Sequence, residues 1–454
     1  MPRVIELNDI EVTLADDGRV LTTSPGYALL DDSGPVLGAA ARAAVRLKPL
    51  RINHQFWSDL TTRPLPRPVA GAASNADLAY LHLRELVAGQ PPASDTVLLV
   101  PATMSLDELG LLRAIAQTAG LGRPRMVDVA VAATRAVPAS GKILYVDVEL
   151  HRATLTELRV GTNIERGRTL AIPGAGQLAF VQHWLEFIAR GMVAATRFDP
   201  LRQGATEQAL FDALPGVLRA AAIDGRATVA LGEGDNRHRI EITREQLAAT
   251  VAPLADEIVT HLHRLRWAGE SSTVALGARA AALAGLAVRL AELPDTECFA
   301  LEPTSAIAAV SGAFAIPEGE ATQRITTLAS LPDDARKALG ATPVVADAAR
   351  PVTAPSHLLY RGEAIALDGE PLTVGTAVTA ARRSLNVSGA TAGVSRSHCT
   401  LLRQGTDLMV FDHSSYGTWL NGERVAHRAR LRAGDRLRLG APGIVLEFIA
   451  VGGA

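Results

Sequence analysis

The chain has 454 residues, 48% of them hydrophobic and 20% charged, with a formal net charge of -2. That length exceeds one typical domain, and a near-neutral charge gives no general attraction to nucleic acid or to anionic membrane. Two cysteines, Cys298 and Cys399, make neither a disulfide framework nor a zinc site. The expectation is a soluble α/β protein of a reducing, cytoplasmic compartment, without a metal. Residues 1–6 lack a signal-type apolar core. The most apolar later stretch, 274–293, is interrupted by Arg279 and Arg289, so no membrane span is expected.

In chain order, residues 4–14 read as a strand, Asp16-Asp17-Gly18 as a turn and 19–23 as the returning strand. Ser24-Pro25-Gly26 breaks the run before the apolar stretch 27–30, and 38–43 opens a helix of small residues. Residues 60–73, rich in Pro, Thr and Arg, read as loop. A helix over 76–87 precedes a buried-type strand, 97–102. Asp107 leads a helix over 108–119, which Gly120 ends. Residues 126–133 are a further apolar stretch. A strand over 142–147 ends on Asp147, with 154–160 as its hairpin partner. A helix over 178–192 and a strand over 237–243 follow. Apolar residues at Leu247, Val251, Leu254, Ile258, Leu262 and Leu265 predict a helix over 244–265. A short strand, 272–277, and a small-residue helix, 303–314, come next.

Five of these segments carry a resemblance by their order. They are Val97-Leu98-Leu99-Val100-Pro101-Ala102 with the helix end Ala119-Gly120-Leu121, then Ile143-Leu144-Tyr145-Val146-Asp147, then Ile242-Thr243-Arg244, then Val274-Ala275-Leu276-Gly277, and the helix 305–313. In succession they resemble the nucleotide-binding domain of DnaK-type chaperones, the seventy-kilodalton heat-shock family, and its actin-like relatives. The resemblance implies an α/β actin-like domain over 1–316. It also places Glu6, Asp147 and Gly277 where that family holds its nucleotide.

The glycines of that site are replaced. The family's first phosphate loop reads Asp-Leu-Gly-Thr-Thr, whereas Glu6-Leu7-Asn8-Asp9-Ile10 stands here. The second reads Asp-x-Gly-Gly-Gly-Thr, whereas Asp147 is followed by Val148-Glu149-Leu150-His151-Arg152. Backbone N–H groups approach phosphate closely only where no Cβ intervenes, and added carboxylates repel it. The segment that bears the family's catalytic Glu aligns with Asp128-Val129-Ala130. Glu6, Asp147 and Gly277 therefore read as a vestigial nucleotide site, with no catalytic residue and no cofactor. ATP and magnesium enter only if the chain is an active ATPase.

Residues 317–355 hold Pro317, Pro332, Pro343, Pro351 and Pro355 among many Ala, Thr and Asp. This is linker composition, with a short helix at 333–339. Beyond it, over 356–454, the signals are all β. Gly393-Val394-Ser395-Arg396-Ser397-His398 runs into an alternating strand, 400–403. Gly405-Thr406-Asp407 turns into 408–411. Then comes Asp412-His413-Ser414-Ser415-Tyr416-Gly417-Thr418-Trp419-Leu420-Asn421-Gly422, in which Asn421-Gly422 is a strong hairpin signal. Ala433-Gly434-Asp435, an alternating 436–439, Gly440 and a closing strand, 444–451, complete the chain.

The pattern Ser-Arg-x-His followed by Ser-x-Gly-Thr-x-x-Asn-Gly resembles the forkhead-associated (FHA) domain, a β-sandwich that reads phosphothreonine. The resemblance implies that Ser395 and Ser415 donate hydrogen bonds to a phosphate. It implies that Arg396 contacts phosphate or peptide, and that His398, Gly417 and Asn421 shape the loop. Two positions depart from the family. Its Gly-Arg pair is Gly375-Thr376 here, which leaves Arg382 and Arg383 as the neighbouring cations. Its Asn before Gly-Thr is Tyr416, an aromatic of the kind that anchors protein interfaces, which is expected among the partner-binding residues. Chain geometry places Ser395 and Ser415 at one end of the sandwich, because they flank the two strands of one hairpin.

The expected whole is an actin-like domain, a linker and an FHA sandwich, acting as a non-catalytic adaptor or pseudo-ATPase platform. Its partner is a protein, phosphothreonine-bearing or recognised as a plain surface. The competing readings are an ATP-driven chaperone whose FHA module selects clients, and a nucleotide sensor that binds without hydrolysing.

Overall fold

The computed structural model describes residues 2–450, apart from 233–236, 269–270, 315, 317–323, 345–353, 368, 380, 390 and 406 and the side chains of 267, 268 and 313. The chain divides into two compact units. One comprises Met1–Ile258, Thr273–Ala291 and Cys298–Val344; the other comprises Val259–Ser272, Glu292–Glu297 and Val345–Ala454.

In the first unit two sheets repeat one strand order. β1 (Arg3–Glu6), β2 (Val12–Asp16) and β3 (Arg19–Ser24) form an antiparallel meander. β4 (Thr96–Val100) and β5 (Arg125–Asp128) extend it in parallel on the other side of β1. The second sheet does the same with the meander β6 (Gly141–Val148), β7 (Arg152–Val160) and β8 (Asn163–Pro173). There β9 (Ser272–Leu276) runs parallel to β6, and β10 (Thr296–Ala300) lies beyond it. The order is thus β5-β4-β1-β2-β3 in one sheet and β10-β9-β6-β7-β8 in the other.

The unbroken apolar run of β4 follows from its place. A strand covered on both faces has no polar side to show. Val97 and Leu99 enter a core with Val4, Ile143, Tyr145 and Ile307. Leu98 and Val100 enter another with Ile5, Leu78 and Leu112. The helices Asn75–Leu86 and Leu106–Thr118 cover that second face, and each starts with a capping box, Ser74 with Asp77 and Ser105 with Glu108.

Several elements differ from the sequence reading. The strand expected over 4–14 is broken, because the Asn8 side chain accepts the Ile10 N–H (2.9 Å) and turns the backbone. Residues 60–73 contain a hairpin strand, Pro64–Val69, paired with Ala72–Ser74. The stretch 126–133 splits into β5 and the helix Val129–Thr134, which Asp128 caps through the Ala130 N–H. Of the segment 317–355, residues 317–323 and 345–353 lie outside the described residues. Residues 324–344 are built into the first unit. There β11 (Thr327–Ala329) pairs with β8, the helix Asp333–Ala338 forms, and β12 (Thr342–Pro343) pairs with β10. Leu328, Leu331 and Leu339 are buried there, and composition alone does not reveal that spacing.

The second unit contains a β-sandwich. One sheet joins β13 (His357–Tyr360) and β14 (Glu363–Ala366) to later strands. The other holds β15 (Leu372–Gly375), β16 (Ser384–Asn386), β17 (Cys399–Gln404), β18 (Asp407–Asp412) and, beyond it, one of the later strands. Those later strands are β19 (Thr418–Leu420), β20 (Glu423–Val425), β21 (Arg428–Leu431), β22 (Arg436–Leu439) and β23 (Ile444–Ile449). The orders are β20-β19-β22-β23-β13-β14 and β16-β15-β17-β18-β21. Alternating residues such as Leu401, Leu408, Val410, Leu437, Leu446 and Phe448 form the core between them. Asn421 and Gly422 take positive φ, 52° and 93°, and make the predicted tight turn between β19 and β20. Thr406 and Val451 lie outside the described residues.

A short strand, Trp267–Ala268, continues the first of these sheets by pairing in parallel with β20. Glu423 of β20 is buried. Its Oε1 lies 2.9 Å from Arg266 Nη1 and 2.6 Å from His263 Nδ1. The Arg266 side chain, itself 1% exposed, also donates to the Pro294 carbonyl (2.6 Å). Removing one member of such a pair strands the other charge. Arg266→Met is therefore expected to destabilise the second unit by about 3 kcal/mol. Arg266→Met combined with Glu423→Leu should recover most of that loss. Amide hydrogen exchange along β19 and β20 in the full chain measures both; equal protection in wild type and the single variant would refute it.

Candidate functional site

The recognition end of the sandwich is where β15 ends and β17 begins. The loop before β17 lies against the end of β15. Thr376 N–H donates to Ser395 O (3.1 Å), Ala377 N–H to Arg396 O (3.1 Å) and His398 N–H to Val374 O (2.8 Å). This approach explains Gly375. A Cβ there would stand 2.1 Å from the Arg396 carbonyl oxygen, so only glycine fits.

His398 is fully buried and joins two loops. Its Nδ1 accepts the Ser395 N–H (3.0 Å), which fixes the tautomer, so Nε2 carries the proton and donates to Gly417 O (3.1 Å). Burial lowers its pKa, against the pull of the Gly417 carbonyl and Asp412. Above it, the Ser415 N–H donates to Ser395 Oγ (3.2 Å). Ser395 Oγ is the acceptor in that bond, so its own O–H is free to point at a ligand. The next turn is also fixed: Ser414 Oγ accepts the Gly417 N–H (2.8 Å), and Asp412 Oδ1 accepts from Ser414 N–H (3.0 Å) and Thr418 Oγ1 (2.7 Å). Arg396, Ser415 and Tyr416 are exposed. Among the described residues, the Arg396 guanidinium has no hydrogen-bond or ion-pair partner. Two hydroxyls, an amide-braced turn and one cation thus face solvent together, a set of donors suited to an anion.

Other expected residues lie elsewhere. Strand register sets Asn386, not Arg382 or Arg383, beside Gly375. Arg383 reaches instead to the Ala366 carbonyl at the end of β14, and Arg382 is exposed just before β16. Asn386, which the sequence reading did not single out, holds the Val378 N–H through Oδ1 (2.8 Å) and so braces the 376–379 segment. Asn421 is at the far end of β19 from Gly417. It ties the hairpin to Asp435 and the Arg436 N–H (2.8 Å each) rather than shaping the serine loops.

In the first unit Glu6, Asp147 and Gly277 do converge, around a residue the sequence showed only as a break in an apolar stretch. Arg279 Nη1 lies 2.5 Å from Glu6 Oε1, and Nη2 donates to the Glu11 carbonyl (3.3 Å). Burial works against its charge, yet Glu6 and Asp147 hold its pKa above the ordinary value. A Cβ on Gly277 would stand 2.7 Å from the Tyr145 hydroxyl and 2.9 Å from Asp147 Oδ1. Burial raises the Asp147 carboxyl to about 7, against the pull of Arg279.

The two turns, 7–11 after β1 and 149–151 after β6, meet directly. Asn8 Nδ2 donates to Val148 O (3.0 Å), and the Leu150 N–H to Asp9 Oδ1 (2.6 Å). Glu149 pairs with Arg152 (2.7 Å), and His151 Nε2 lies 3.1 Å from His54 Nδ1. The space left beside Asp9, Glu149, Arg152 and Trp57 is about 10 Å³. That is room for one water, far below the several hundred Å³ of a small-molecule site. Among the described residues, no group of three or more His, Cys, Asp or Glu could hold a metal ion, and no helix is long and apolar enough to cross a membrane.

Two tests follow. His398→Ala leaves the Ser395 N–H without its acceptor and should cost the sandwich about 2 kcal/mol. Because the folded state keeps this imidazole neutral, its contribution is complete above the unfolded pKa and declines as pH falls below about 6.5. The variant should lose that slope in urea titrations from pH 8 to 5. Asp9 behaves oppositely. Burial and then Glu149 raise its carboxyl to about 7, so the folded state binds the proton more tightly and stability falls as pH rises from about 4 to 7. Asp9→Asn keeps an acceptor for the Leu150 N–H and should be more stable than wild type at pH 8 and no more stable at pH 4. An unchanged urea midpoint at pH 8 would contradict it.

Comparison with curated proteins finds no match to this chain. Comparison with protein families finds one over residues 372–440, from β15 to the glycine after β22. The C-terminal part of the chain is an FHA domain, with Ser395, His398 and Ser415 inside the matched segment.

Proposed function

We propose that the chain is a non-catalytic adaptor. Its FHA module takes up a phosphothreonine-bearing protein segment, and its N-terminal unit is a DnaK-type, actin-like platform that has given up nucleotide. The observation that carries the recognition half is the Ser415 amide bound to Ser395 Oγ, which brings both serines and Arg396 to one exposed end. FHA domains bind phosphothreonine-containing partners, and the donors present fit a phosphate.

The platform half is supported by the five ordered segments and by Glu6, Asp147 and Gly277 standing around one point. Arg279 supplies there the positive charge that a bound cation would bring. The Asp9 and Glu149 turns fill the space that polyphosphate needs. Two buried thiols, Cys298 and Cys399, suit the reducing compartment expected from composition.

Calorimetry of the full chain with ATP and magnesium should show no binding; micromolar affinity, about -8 kcal/mol, would overturn the platform reading, in favour of an ATP-driven chaperone if the ATP is hydrolysed and of a nucleotide sensor if it is not. Capture of a phosphorylated partner should end after phosphatase treatment. Arg396→Ala should weaken it by about 1.5–3 kcal/mol, the worth of a hydrogen bond to a charged group. Capture that survives both phosphatase and the double change Ser395→Ala, Arg396→Ala would place recognition on another surface.

A further inference from the structure

Tyr416 sits between Ser415 and Gly417 and is 66% exposed. Among the described residues of the second unit, it and Val445, at 41%, are the large apolar side chains left in solvent. Trp419, three residues on, is covered by the Arg438 guanidinium at 4.1 Å. Among the described residues no guanidinium covers Tyr416 in that way.

Its backbone is held on both sides. The Ser415 N–H is bound to Ser395, the Gly417 N–H to Ser414, and the Gly417 carbonyl accepts from both His398 and Gly440. Gly417 itself has φ +96°, and a Cβ there would stand 3.0 Å from Arg424 Nε and 3.2 Å from the Trp419 ring. The ring is therefore presented from a fixed turn. A rigid aromatic that loses little entropy on contact is the usual form of an interface anchor. The phosphate side of the same end is lightly equipped: position 376 is threonine, Arg383 is tied to Ala366, and Arg396 is exposed. With few charge-assisted bonds available, contacts beside the phosphate carry more of the selection.

Building on the phosphothreonine reading, we propose that Tyr416 sets specificity by holding an apolar or aromatic side chain of the bound segment, within two residues of the phosphothreonine. The reach follows from geometry. Tyr416 adjoins Ser415, and an extended peptide advances about 3.3 Å per residue, so a tyrosine ring spans one or two ligand positions.

The test is fluorescence anisotropy of the full chain with labelled ten-residue phosphothreonine peptides. In one the two residues on each side of the phosphothreonine are glycine. In the others one of these is leucine, tyrosine or aspartate. Leucine and tyrosine peptides should bind at least ten-fold tighter than the glycine peptide, about 1.4 kcal/mol, and the aspartate peptide no tighter. Tyr416→Ala should bring them to the glycine level without changing the glycine peptide, and Tyr416→Phe should keep the preference. Equal binding of leucine and glycine peptides, or a preference that survives Tyr416→Ala, overturns the proposal and leaves the phosphothreonine reading standing. Binding by none of the phosphopeptides, or binding indifferent to Ser395→Ala with Arg396→Ala, overturns both.

Discussion

A carboxylate taken out of water needs a cation close by, or it gives up its charge. The first unit is arranged around that constraint. Asp128, fully buried, has Arg166 at 3.0 Å and Arg324 at 3.7 Å. Glu149 has Arg152, and Glu6 has Arg279. Among the described residues no guanidinium lies within salt-bridge distance of Asp9, and burial, with Glu149, pushes its carboxyl up to about 7. Where these arginines stand decides which space stays open. Around Glu6 and Asp147, the answer is a filled site.

The second unit applies a gentler version of the same rule. Its recognition end is held by hydrogen bonds, most of them between neutral groups. His398 does this work as an uncharged ring, accepting on one side and donating on the other. Such a bridge sets the spacing of two loops without placing a competing cation beneath a phosphate site.

Much of the second unit was legible in the sequence. Ser395, His398, Gly417 and the Asn421-Gly422 turn are local motifs, and alternation fixed the strands on either side. What failed was reach. Arg382 and Arg383 are near the site in sequence but lie before β16, four and three residues ahead of Asn386, the residue that register sets beside Gly375. In the first unit two buried strands were legible, since Val97-Leu98-Leu99-Val100 and the run into Asp147 each declare one. The role of Arg279 was not, because its carboxylate partner lies 273 positions away. Composition also misled over residues 324–344, where three spaced leucines turn apparent linker into sheet edge.

The repeated strand order of the first unit has an evolutionary consequence. It sets the turn after β1 opposite the turn after β6, and each supplies what the other lacks: Asn8 gives a donor to Val148, and Leu150 gives one to Asp9. Residues in contact of this kind do not contribute additively. The two turns therefore act as one unit. A change in either is tolerated or rejected according to the sequence of the other.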